Sequence, residues 1–557
     1  MPKSTKPAPS DAIDQQRASP SWERYAIGAI IIVALTLSSV PDILGWMMSG
    51  KGHTYVGYSY NIDDAYVYMS WAHQAADGHF FARNLFTTDH QLGRQFNLFF
   101  LAIGNLSRIL HIPLVFMFFA VRVLGGAWLL WLIYRLYHWA LPGSVRGRIT
   151  AFALVALGAG AGWLYTTSGT AHNRVYLPVD TWQPEAITFL SLQFSSLFVV
   201  STALIVACIG LLIRAEQRQS MRDAVYAGLC ALILGNIHSY DIVHIAAAWA
   251  AYLLVSKSTL TATSFRLGFN RDGWKRALVA GAICVPTVLY QYLLYKYDPV
   301  FHARVENGTY TFGFNTYFLG YGLAFVFAYV AAFLTIRSSG FRSLWANPRA
   351  PLIFLGWAVA AFVIIYLPTS FQRKMIMGVH VPLCLLGGAA LAYTSECITK
   401  RWKAIGATLL PLIVVLLSVP SNLVWIAREM HHLSRGDSET QSVTFLSADD
   451  TAVFDWIRDN TKPTDTFVGD PTKMLFVPGL TGRAVWCGHW GETPDYAGKF
   501  KQLGLLARGG MDDPHAFLKS TKTTYLVWPE GTNAFNPTPS YLKPVYGNPT
   551  YTIYEIR

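Results

Sequence analysis

The sequence predicts a polytopic α-helical membrane protein of about eleven transmembrane helices, followed by a small extracytoplasmic α/β domain at the C-terminus. Of the 557 residues, 53% are hydrophobic and only 14% are charged, whereas a soluble domain carries about a quarter charged residues. The apolar residues also fall in runs close to the ~20 residues that cross a hydrocarbon core about 30 Å thick. A chain with so little charge is expected to bury most of its surface in lipid.

Each apolar run is interpreted as one span because of its length. Two of them, 224–239 and 242–255, are short for a full crossing and meet at the polar joint His238-Ser239-Tyr240-Asp241. Residues 96–110 are also apolar, but counting them as a span would reverse every later loop, so we expect a helix in the outer interface there. The predicted spans are 25–47, 113–137, 149–165, 190–213, 224–239, 242–255, 277–295, 316–336, 351–367, 375–393 and 404–426.

The basic residues predict the orientation, because Lys and Arg accumulate in cytoplasmic segments. They cluster in alternate connections, such as 146–148, 214–222 and 400–403, and in the N-terminal tail. An odd number of spans then places the C-terminal region outside. The net charge of +12 is spread over these short segments, so topology explains it and we expect no nucleic-acid partner.

Three segments follow from these patterns. Residues 1–24 are predicted to be a disordered cytoplasmic tail, and residues 25–430 a transmembrane domain whose first external loop, 48–112, is long. From 431 to 557 the composition is that of a soluble α/β domain of ordinary size. One predicted helix starts after Ser447, a plausible N-cap, and two more cover 495–508 and 513–520. The predicted strands are 466–469, 483–488, 524–528 and 551–556.

The acidic pair Asp63-Asp64 lies in the first external loop, just before a helical pattern over 65–76. One interpretation is structural, because an Asp at a helix start caps free N–H groups and interacts favourably with the helix dipole. Adjacent side chains diverge, however, so one carboxylate can cap while the other faces a cavity. The pair is therefore a candidate for catalysis as well as for capping.

Two adjacent cations, Arg373 and Lys374, lie in a short external connection, where positive charge is disfavoured. They can extend to lipid head groups, as long basic side chains often do. The alternative is a clamp for a lipid phosphate, for which the Arg fork of donors is well suited. Their position on the outer side favours the phosphate.

Other polar residues of the external connections are candidates for lining a substrate cavity. Intramembrane ionisable groups are costly and often functional, but the His238–Asp241 joint can equally be an internally satisfied polar cluster. The segment around Pro184 can be an ordinary helix start, or Trp182 can stack on a sugar. The Gly-rich segments 479–483 and 487–493 match no nucleotide-binding motif and are predicted to be tight turns at strand ends. The cavity candidates are Asp180, Trp182, Glu185, His238, Tyr240, Asp241, His302 and Arg304.

The combination of many spans, a long first external loop with the motif Asn61-Ile62-Asp63-Asp64-Ala65-Tyr66, late external cations and a C-terminal domain resembles the GT-C superfamily of membrane glycosyltransferases. That group includes protein O-mannosyltransferases, lipid A aminoarabinose transferases and oligosaccharyltransferases. The stretches 455–458, 482–483 and 488–490 also look like the C-terminal part of bacterial members. The resemblance covers the whole chain as architecture.

This resemblance implies an inverting glycosyltransferase of the bacterial inner membrane. It would move a sugar from a polyprenyl-phosphate donor to a lipid, glycan or protein acceptor on the outer face. Asp64 or Asp63 would act as general base, with a slight preference for Asp64 because Asp63 can cap the helix, while Arg373 and Lys374 would stabilise the phosphate. No cofactor is certain: some members use a divalent metal ion and others do not, so the metal stays open.

A transporter or lipid flippase is the main alternative, because it would also combine many spans with intramembrane polar residues. Such proteins often contain inverted repeats and broken helices near mid-depth. The sequence contains no evident repeat, and its polar residues gather on one face. The short helices at the His238–Asp241 joint are the feature that favours a transporter, and a non-catalytic envelope scaffold is a third interpretation.

Overall fold

The computed structural model describes residues 20–167, 177–260, 265–266, 268–306, 308–402, 406–436, 443–530, 535 and 537–557. Most of these residues are helical, and the predicted tail lies outside them except for its last residues. Those residues are already helical, because the first helix begins at Ser21 and not at Tyr25. The chain divides into two compact units, which are described separately below.

The predicted polytopic helical architecture is confirmed. Each predicted span overlaps a helix, and the two predicted to be short are Met221–Ile237 and Tyr240–Val255, with 17 and 16 residues. Three shorter apolar helices are Leu98–Leu110, Tyr240–Val255 and Ala350–Ile364. Among the described segments, eight helical stretches are long and apolar enough to cross a membrane: Ser21–Met48, Leu114–Ala140, Val145–Thr166, Ser196–Arg218, Arg271–Tyr297, Phe314–Arg337, Gln372–Ile398 and Ala407–Arg435.

The helices are numbered here in chain order. As far as Ala350–Ile364 they are α1 Ser21–Met48, α2 Ile62–Ala76, α3 Leu98–Leu110, α4 Leu114–Ala140, α5 Val145–Leu157, α6 Gly162–Thr167, α7 Thr188–Phe194, α8 Ser196–Arg218, α9 Met221–Ile237, α10 Tyr240–Val255, α11 Arg271–Tyr297, α12 Pro299–Glu306, α13 Phe314–Arg337, α14 Ser339–Arg342 and α15 Ala350–Ile364. The remainder are α16 His380–Trp402, α17 Gly406–Ser418, α18 Pro420–Arg435, α19 Ala448–Asn460, α20 Pro471–Met474, α21 Val477–Thr481, α22 Tyr496–Ala507 and α23 Pro514–Ser520.

The first unit comprises Met1–Ser38, Arg122–Cys284 and Tyr310–Trp425. Its centre is α16, which packs against α5 and α13. The most apolar stretch of this helix is entirely buried, so protein rather than lipid surrounds it. Helix α13 bends at Gly322, whose φ of 48° is disfavoured for any residue with a Cβ atom. Packing of α8 with α9 and of α10 with α15 completes the helical layer, and the short strands Thr259–Leu260 (β2) and Phe265–Arg266 (β3) pair antiparallel.

The second unit comprises Ser39–Val121, Val285–Thr309 and Ile426–Arg557. Helix α2 packs against α3 and α21, and Gly104 of α3 approaches the backbone of α2 so closely that a Cβ atom would meet the Ala72 carbonyl oxygen at 2.2 Å. At 13 residues, α3 is about 20 Å long, which is too short to cross a hydrocarbon core of about 30 Å. This length agrees with the expected interfacial helix, although its place at the interface stays a prediction.

The second unit contains two sheets, and the smaller one joins the loop after α1 to the C-terminal residues. His53–Tyr55 (β1) pairs antiparallel with Phe445–Ser447 (β4). The larger sheet has five strands in the order β6-β5-β7-β9-β8, with parallel pairing at one end and antiparallel pairing at the other. Its strands are Thr466–Gly469 (β5), Ala484–Val485 (β6), Tyr525–Pro529 (β7), Leu542–Gly547 (β8) and Tyr551–Ile556 (β9).

Several local predictions for this domain are confirmed and others are wrong. Ser447 is the N-cap of α19 and forms a capping box with Asp450. The predicted strand 483–488 is only two residues long, because the chain leaves the sheet after Val485. Segment 479–483 is not a strand-end turn, since Gly482 ends the short helix α21 with a φ of 71°. Strand β8 was missed because it contains Pro544, which only an edge strand tolerates, and β8 lies at the sheet edge.

Candidate active site

The acidic pair occupies the first turn of α2 in the second unit. The helix begins at Ile62, and Asn61 is the N-cap residue, with a left-handed φ of 52°. The Asn61 side chain does not cap the helix and instead donates from Nδ2 to Asp64 Oδ2 at 2.9 Å. The expectation that one Asp caps the helix is therefore wrong. Both carboxylates still lie where the positive end of the helix dipole favours negative charge.

The two carboxylates have different surroundings. Asp63 Oδ2 accepts a hydrogen bond from Trp490 Nε1 at 2.8 Å, and its Oδ1 is buried with no hydrogen-bond partner among the described residues. The side chain of Asp64 is 41% exposed, and its Oδ1 lies 3.6 Å from His489 Nε2. Burial, and then the neighbouring charge of Asp64, raises the pKa of Asp63. Asp63 is therefore poised to bind a proton more readily than an ordinary aspartate.

His489 is oriented by the backbone that follows it. Its Nδ1 accepts hydrogen bonds from the amides of Gly491 and Glu492, both at 3.0 Å. A nitrogen that accepts two amide protons carries none itself, so the hydrogen-bond pattern assigns the proton of the ring to Nε2. Only 3% of His489 is exposed. A buried N–H donor therefore faces Asp64, at a distance that is slightly long for a hydrogen bond.

The segment that carries His489 and Trp490 is fastened to the first external loop. Thr493 Oγ1 accepts from the Gly488 and His489 amides at 3.2 and 3.3 Å and donates to the Phe86 carbonyl oxygen at 2.9 Å. Asn84 Nδ2 donates to the Glu492 carbonyl oxygen at 2.8 Å. The segment was predicted to be a simple turn, but its backbone donors and hydroxyl contacts hold two side chains against the acidic pair. The sequence reasoning missed both residues, although a His-Trp pair inside a Gly-rich loop was a visible signal.

The cationic turn, defined here as Gln372–Ile376, lies in the first unit and has 3₁₀ geometry. The guanidinium carbon of Arg373 lies 5.1 Å from the centre of the Trp182 ring, and Lys374 Nζ lies 5.2 Å from that of Tyr240, within cation–π range. Neither cation forms an ion pair with a carboxylate of the described residues, and Arg373 Nε is buried without a hydrogen-bond partner there. The turn thus keeps positive charge uncompensated by side-chain anions.

The backbone of the cationic turn is held by two amide side chains. Gln183 Nε2 donates to the Arg373 carbonyl oxygen at 3.2 Å, and Gln372 Oε1 accepts from the Thr311 amide at 3.0 Å. These bonds fix the direction in which both basic side chains leave the turn. Such preorganisation is what a binding site for a phosphate requires.

The His238–Asp241 joint is a buried contact whose polar atoms are not all satisfied, because His238 Nδ1 and both Asp241 carboxylate oxygens have no hydrogen-bond partner among the described residues. His238 Nδ1 lies 3.0 Å from Asp241 Oδ2, and the two residues are 8% and 0% exposed. Tyr240 is the member that reaches the cationic turn, where its ring packs 4.8 Å from that of Phe371 and lies under Lys374. His238 and Asp241 therefore form a close contact that leaves polar atoms unsatisfied, and Tyr240 lies beside the cations.

The predicted cavity residues around Pro184 are largely buried. Asp180 is 0% exposed, and its Oδ2 accepts from the Gly160 and Gly162 amides, both at 3.0 Å. Burial raises the pKa of Asp180 to about 6. This carboxylate anchors a neighbouring loop, so it does not line an open surface. Glu185 is half-buried in the first turn of a 3₁₀ helix that begins at Pro184, as a helix start there predicted, but this helix is only three residues long, Pro184–Ala186.

Trp182 is not an open stacking surface. It is 8% exposed, its ring is covered by the Arg373 guanidinium, and the Phe312 ring packs edge-on at 5.0 Å. The remaining cavity candidates belong to the second unit, in α12. There His302 Nδ1 contacts the Tyr295 carbonyl oxygen at 3.0 Å, while the side chain of Arg304 lies outside the described residues.

The described residues contain no preformed cluster of metal-binding side chains. In the described part of the chain, no group of three or more His, Cys, Asp or Glu side chains is arranged to hold a metal ion. Beside the acidic pair, His489 cannot offer Nδ1 because two amides already donate to it, and Asp63 is bound by the Trp490 indole. We therefore derive no chemical step through a metal.

Comparison with solved structures confirms the fold. The oligosaccharyltransferase of Archaeoglobus fulgidus, tethered with an acceptor peptide, superposes with a TM-score of 0.55 at 12% identity and matches 92% of this chain and 70% of that chain. The mycobacterial arabinofuranosyltransferase AftD superposes with a TM-score of 0.56 at 14% identity, over 97% of this chain and 40% of that chain. The chain therefore has the fold of the GT-C membrane glycosyltransferases, as the sequence resemblance implied.

One solved structure is similar over almost the full length of both chains. ArnT of Cupriavidus metallidurans, bound to undecaprenyl phosphate, matches 95% of this chain and 97% of its own at 13% identity, with a TM-score of 0.51. Identities this low establish a shared fold and nothing finer. No protein-family model and no curated protein sequence matches the chain.

Proposed function

We propose that this protein is an inverting glycosyltransferase that moves a sugar from a polyprenyl-phosphate donor to an acceptor on the outer face of the membrane. The observation that carries the proposal is the Asp63-Asp64 pair at the start of α2, supported by His489 and Trp490. The fold adds support, because several solved proteins that share it are glycosyltransferases by name and one was solved with undecaprenyl phosphate.

We assign proton removal to Asp63 and a supporting charge to Asp64. The acceptor hydroxyl oxygen attacks the anomeric carbon and forms the new C–O bond, and the bond from that carbon to the phosphate oxygen breaks. The hydroxyl proton passes to Asp63, and the phosphate leaves with the bonding electron pair. A single displacement inverts the anomeric carbon. Each carboxylate accepts a side-chain hydrogen bond, Asp63 from Trp490 and Asp64 from Asn61. We choose Asp63 because burial and the charge of Asp64 raise its pKa and its Oδ1 is unpartnered among the described residues.

The cationic turn is assigned to the donor phosphate. Arg373 offers a planar fork of donors to phosphate oxygens, and Lys374 adds a mobile point charge. Both stabilise the charge that develops on the leaving phosphate, and they need no reorganisation because the turn is held by Gln183 and Thr311. Tyr240, beside Lys374, would line the same binding surface.

We further propose the orientation that the basic segments predict. The N-terminal tail would be cytoplasmic and the domain after residue 430 would be extracytoplasmic. The membrane would be the inner membrane of a bacterium. Accessibility of single cysteines to a membrane-impermeant maleimide, introduced at exposed Asp512 and Arg218, tests this orientation. Labelling of the Arg218→Cys variant from outside in sealed cells would contradict it.

The decisive experiment measures transfer. The full chain is reconstituted with a radiolabelled polyprenyl-phosphate sugar, and Asp63→Asn, Asp64→Asn and the double variant are compared with wild type. We expect Asp63→Asn to lower the rate by about 10²-fold to 10⁴-fold. Asp77→Asn, at the other end of the same helix and half exposed, is the matched control and should leave transfer unchanged. Wild-type transfer by the double variant would overturn the assignment.

A transporter or flippase is the second candidate, favoured by the short helices that meet at the His238–Asp241 joint. Its weakness is that these two side chains already pair with one another. The reconstituted vesicles separate the two functions, because a flippase moves labelled donor between leaflets without consuming it. Donor translocation without any loss of the lipid-linked sugar would favour transport.

A further inference from the structure

Trp490 is an exposed aromatic residue with one edge and one face already occupied. Its indole N–H donates to Asp63 Oδ2 at 2.8 Å. The His489 ring stacks on it, with ring centres 5.6 Å apart and planes inclined by 27°. Nevertheless 50% of the residue is exposed. Because the N–H edge contacts Asp63 and one face contacts His489, we infer that the exposed half of the residue includes the opposite ring face.

We propose that the open face of Trp490 binds the acceptor, and that this acceptor is a sugar ring of a glycan. The inference rests on the proposed glycosyl transfer and names its acceptor class. The apolar C–H face of a sugar ring packs well on an indole ring, whose π face attracts C–H groups. A ring stacked there directs the hydroxyls on its rim towards the edge of the indole, and that edge is where Asp63 lies.

The rigidity of the platform supports this role. Trp490 belongs to the segment 487–493, which Thr493 and Asn84 fasten to the first external loop. A ring held by a hydrogen bond at its edge and by a stacked imidazole loses little freedom when a ligand binds, so little of the binding free energy is lost. Asp63 then meets the acceptor hydroxyl in a fixed geometry, as proton transfer requires.

The obvious alternative is an interfacial anchor, since exposed tryptophans gather where membranes meet water. An anchor places its N–H towards water or head groups. Here the N–H is bound to a carboxylate whose other oxygen is buried and unpartnered in the described structure. Phe500 offers the contrast, because it is also 50% exposed but packs only on Tyr496 among aromatic rings of the described chain.

Saturation-transfer NMR on the full chain in nanodiscs tests the proposal with a panel of methyl pyranosides and methyl furanosides. The Asp63→Asn/Asp64→Asn double variant is included, because it should not catalyse glycosyl transfer and so reports glycoside binding alone. We expect saturation of ring C–H protons in at least one glycoside. Affinity should fall by about threefold to tenfold in Trp490→Ala, be largely kept in Trp490→Phe, and stay unchanged in Phe500→Ala.

The outcomes are separable. Equal glycoside binding by wild type and Trp490→Ala, or saturation of no glycoside in the panel, overturns the proposal. The proposal is also overturned if unglycosylated peptides, and not glycosides, bind in a way that depends on Trp490. If Trp490→Ala fails to fold, Trp490→Leu and Trp490→Phe give the same comparison. Failure of glycosyl transfer with intact, Trp490-dependent glycoside binding would instead refute the proposed reaction.

Discussion

The acidic pair of the second unit and the cationic turn of the first unit each combine charged residues with a tryptophan, but they use the indole in opposite ways. Asp63 binds the N–H edge of Trp490 and leaves a ring face exposed. Arg373 lies over the face of Trp182, and that ring is only 8% exposed. An anion on the indole edge keeps the aromatic surface available, whereas a cation on the face removes it. In these two clusters the charged residue therefore occupies a different part of the indole, and at Trp182 the Phe312 ring covers the ring further.

The largest expected effect separates the two carboxylates of the acidic pair. Transfer needs ionised Asp63, so the rate should rise with pH through its pKa, which burial and the charge of Asp64 raise. Asp63→Asn should lower the transfer rate by about 10²-fold to 10⁴-fold and remove its dependence on pH. Asp64→Asn removes one cause of the raised pKa, so it should keep more activity and shift the acid limb to lower pH. Rate–pH profiles check both, and an acid limb that moves to higher pH would contradict the assignment.

The next effect concerns the cationic turn. Arg373→Lys keeps the charge but loses the planar fork, and Arg373→Ala loses both, so the rate of donor cleavage should fall about tenfold and about 10²-fold respectively. Initial rates at varied donor concentration measure this. Trp182→Phe keeps a ring under the guanidinium and serves as control, with a small effect expected. Equal activity of Arg373→Ala and wild type would remove the phosphate role.

A smaller effect is expected at His489, which presents an N–H to Asp64. His489→Gln can keep a donor near the position of Nε2, whereas His489→Phe cannot, and the difference should be about tenfold in kcat with little change in KM. His515→Ala, which removes a histidine that contacts the Arg557 backbone carbonyl oxygen at 3.1 Å, should leave kcat and KM unchanged. If Gln and Phe at position 489 behave alike, His489 acts only through packing.

The smallest effect lies away from both clusters, at the capping box of α19. Ser447→Ala removes the side-chain bond to the Asp450 amide and should cost about 1 kcal/mol in local stability. Hydrogen–deuterium exchange of residues 448–460 should then be about fivefold faster. Ser520→Ala, which loses an exposed bond within the last turn of α23, is the control. Unchanged exchange in Ser447→Ala would mean that β4 alone holds this helix start.

The sequence predicted most of the helical architecture, because the length of an apolar run is a local property, whereas the orientation that the basic residues indicate stays a prediction. It also located the acidic pair and the cations. It did not predict which side chains meet them: Trp490 and Asp63 are 427 positions apart, and no local pattern encodes that pairing. It favoured Trp182 as a stacking surface because a sequence cannot reveal that a guanidinium covers the ring. The edge strand β8 was hidden for a similar reason, since only the sheet order makes its proline acceptable.

The attachment of segment 487–493 to the first external loop has a consequence for biosynthesis. Asp63 is translated early, but its partner Trp490 follows 427 residues later, which is roughly 20 to 90 s of synthesis at ordinary rates. Until then the acidic pair lacks the Trp490 indole donor and the His489 imidazole, and Thr493 is absent to hold their segment in place. The centre is completed only after nearly all membrane helices have been made. If the proposed function holds, we expect a nascent or truncated chain that ends before Thr493 to insert its helices and to lack transfer activity.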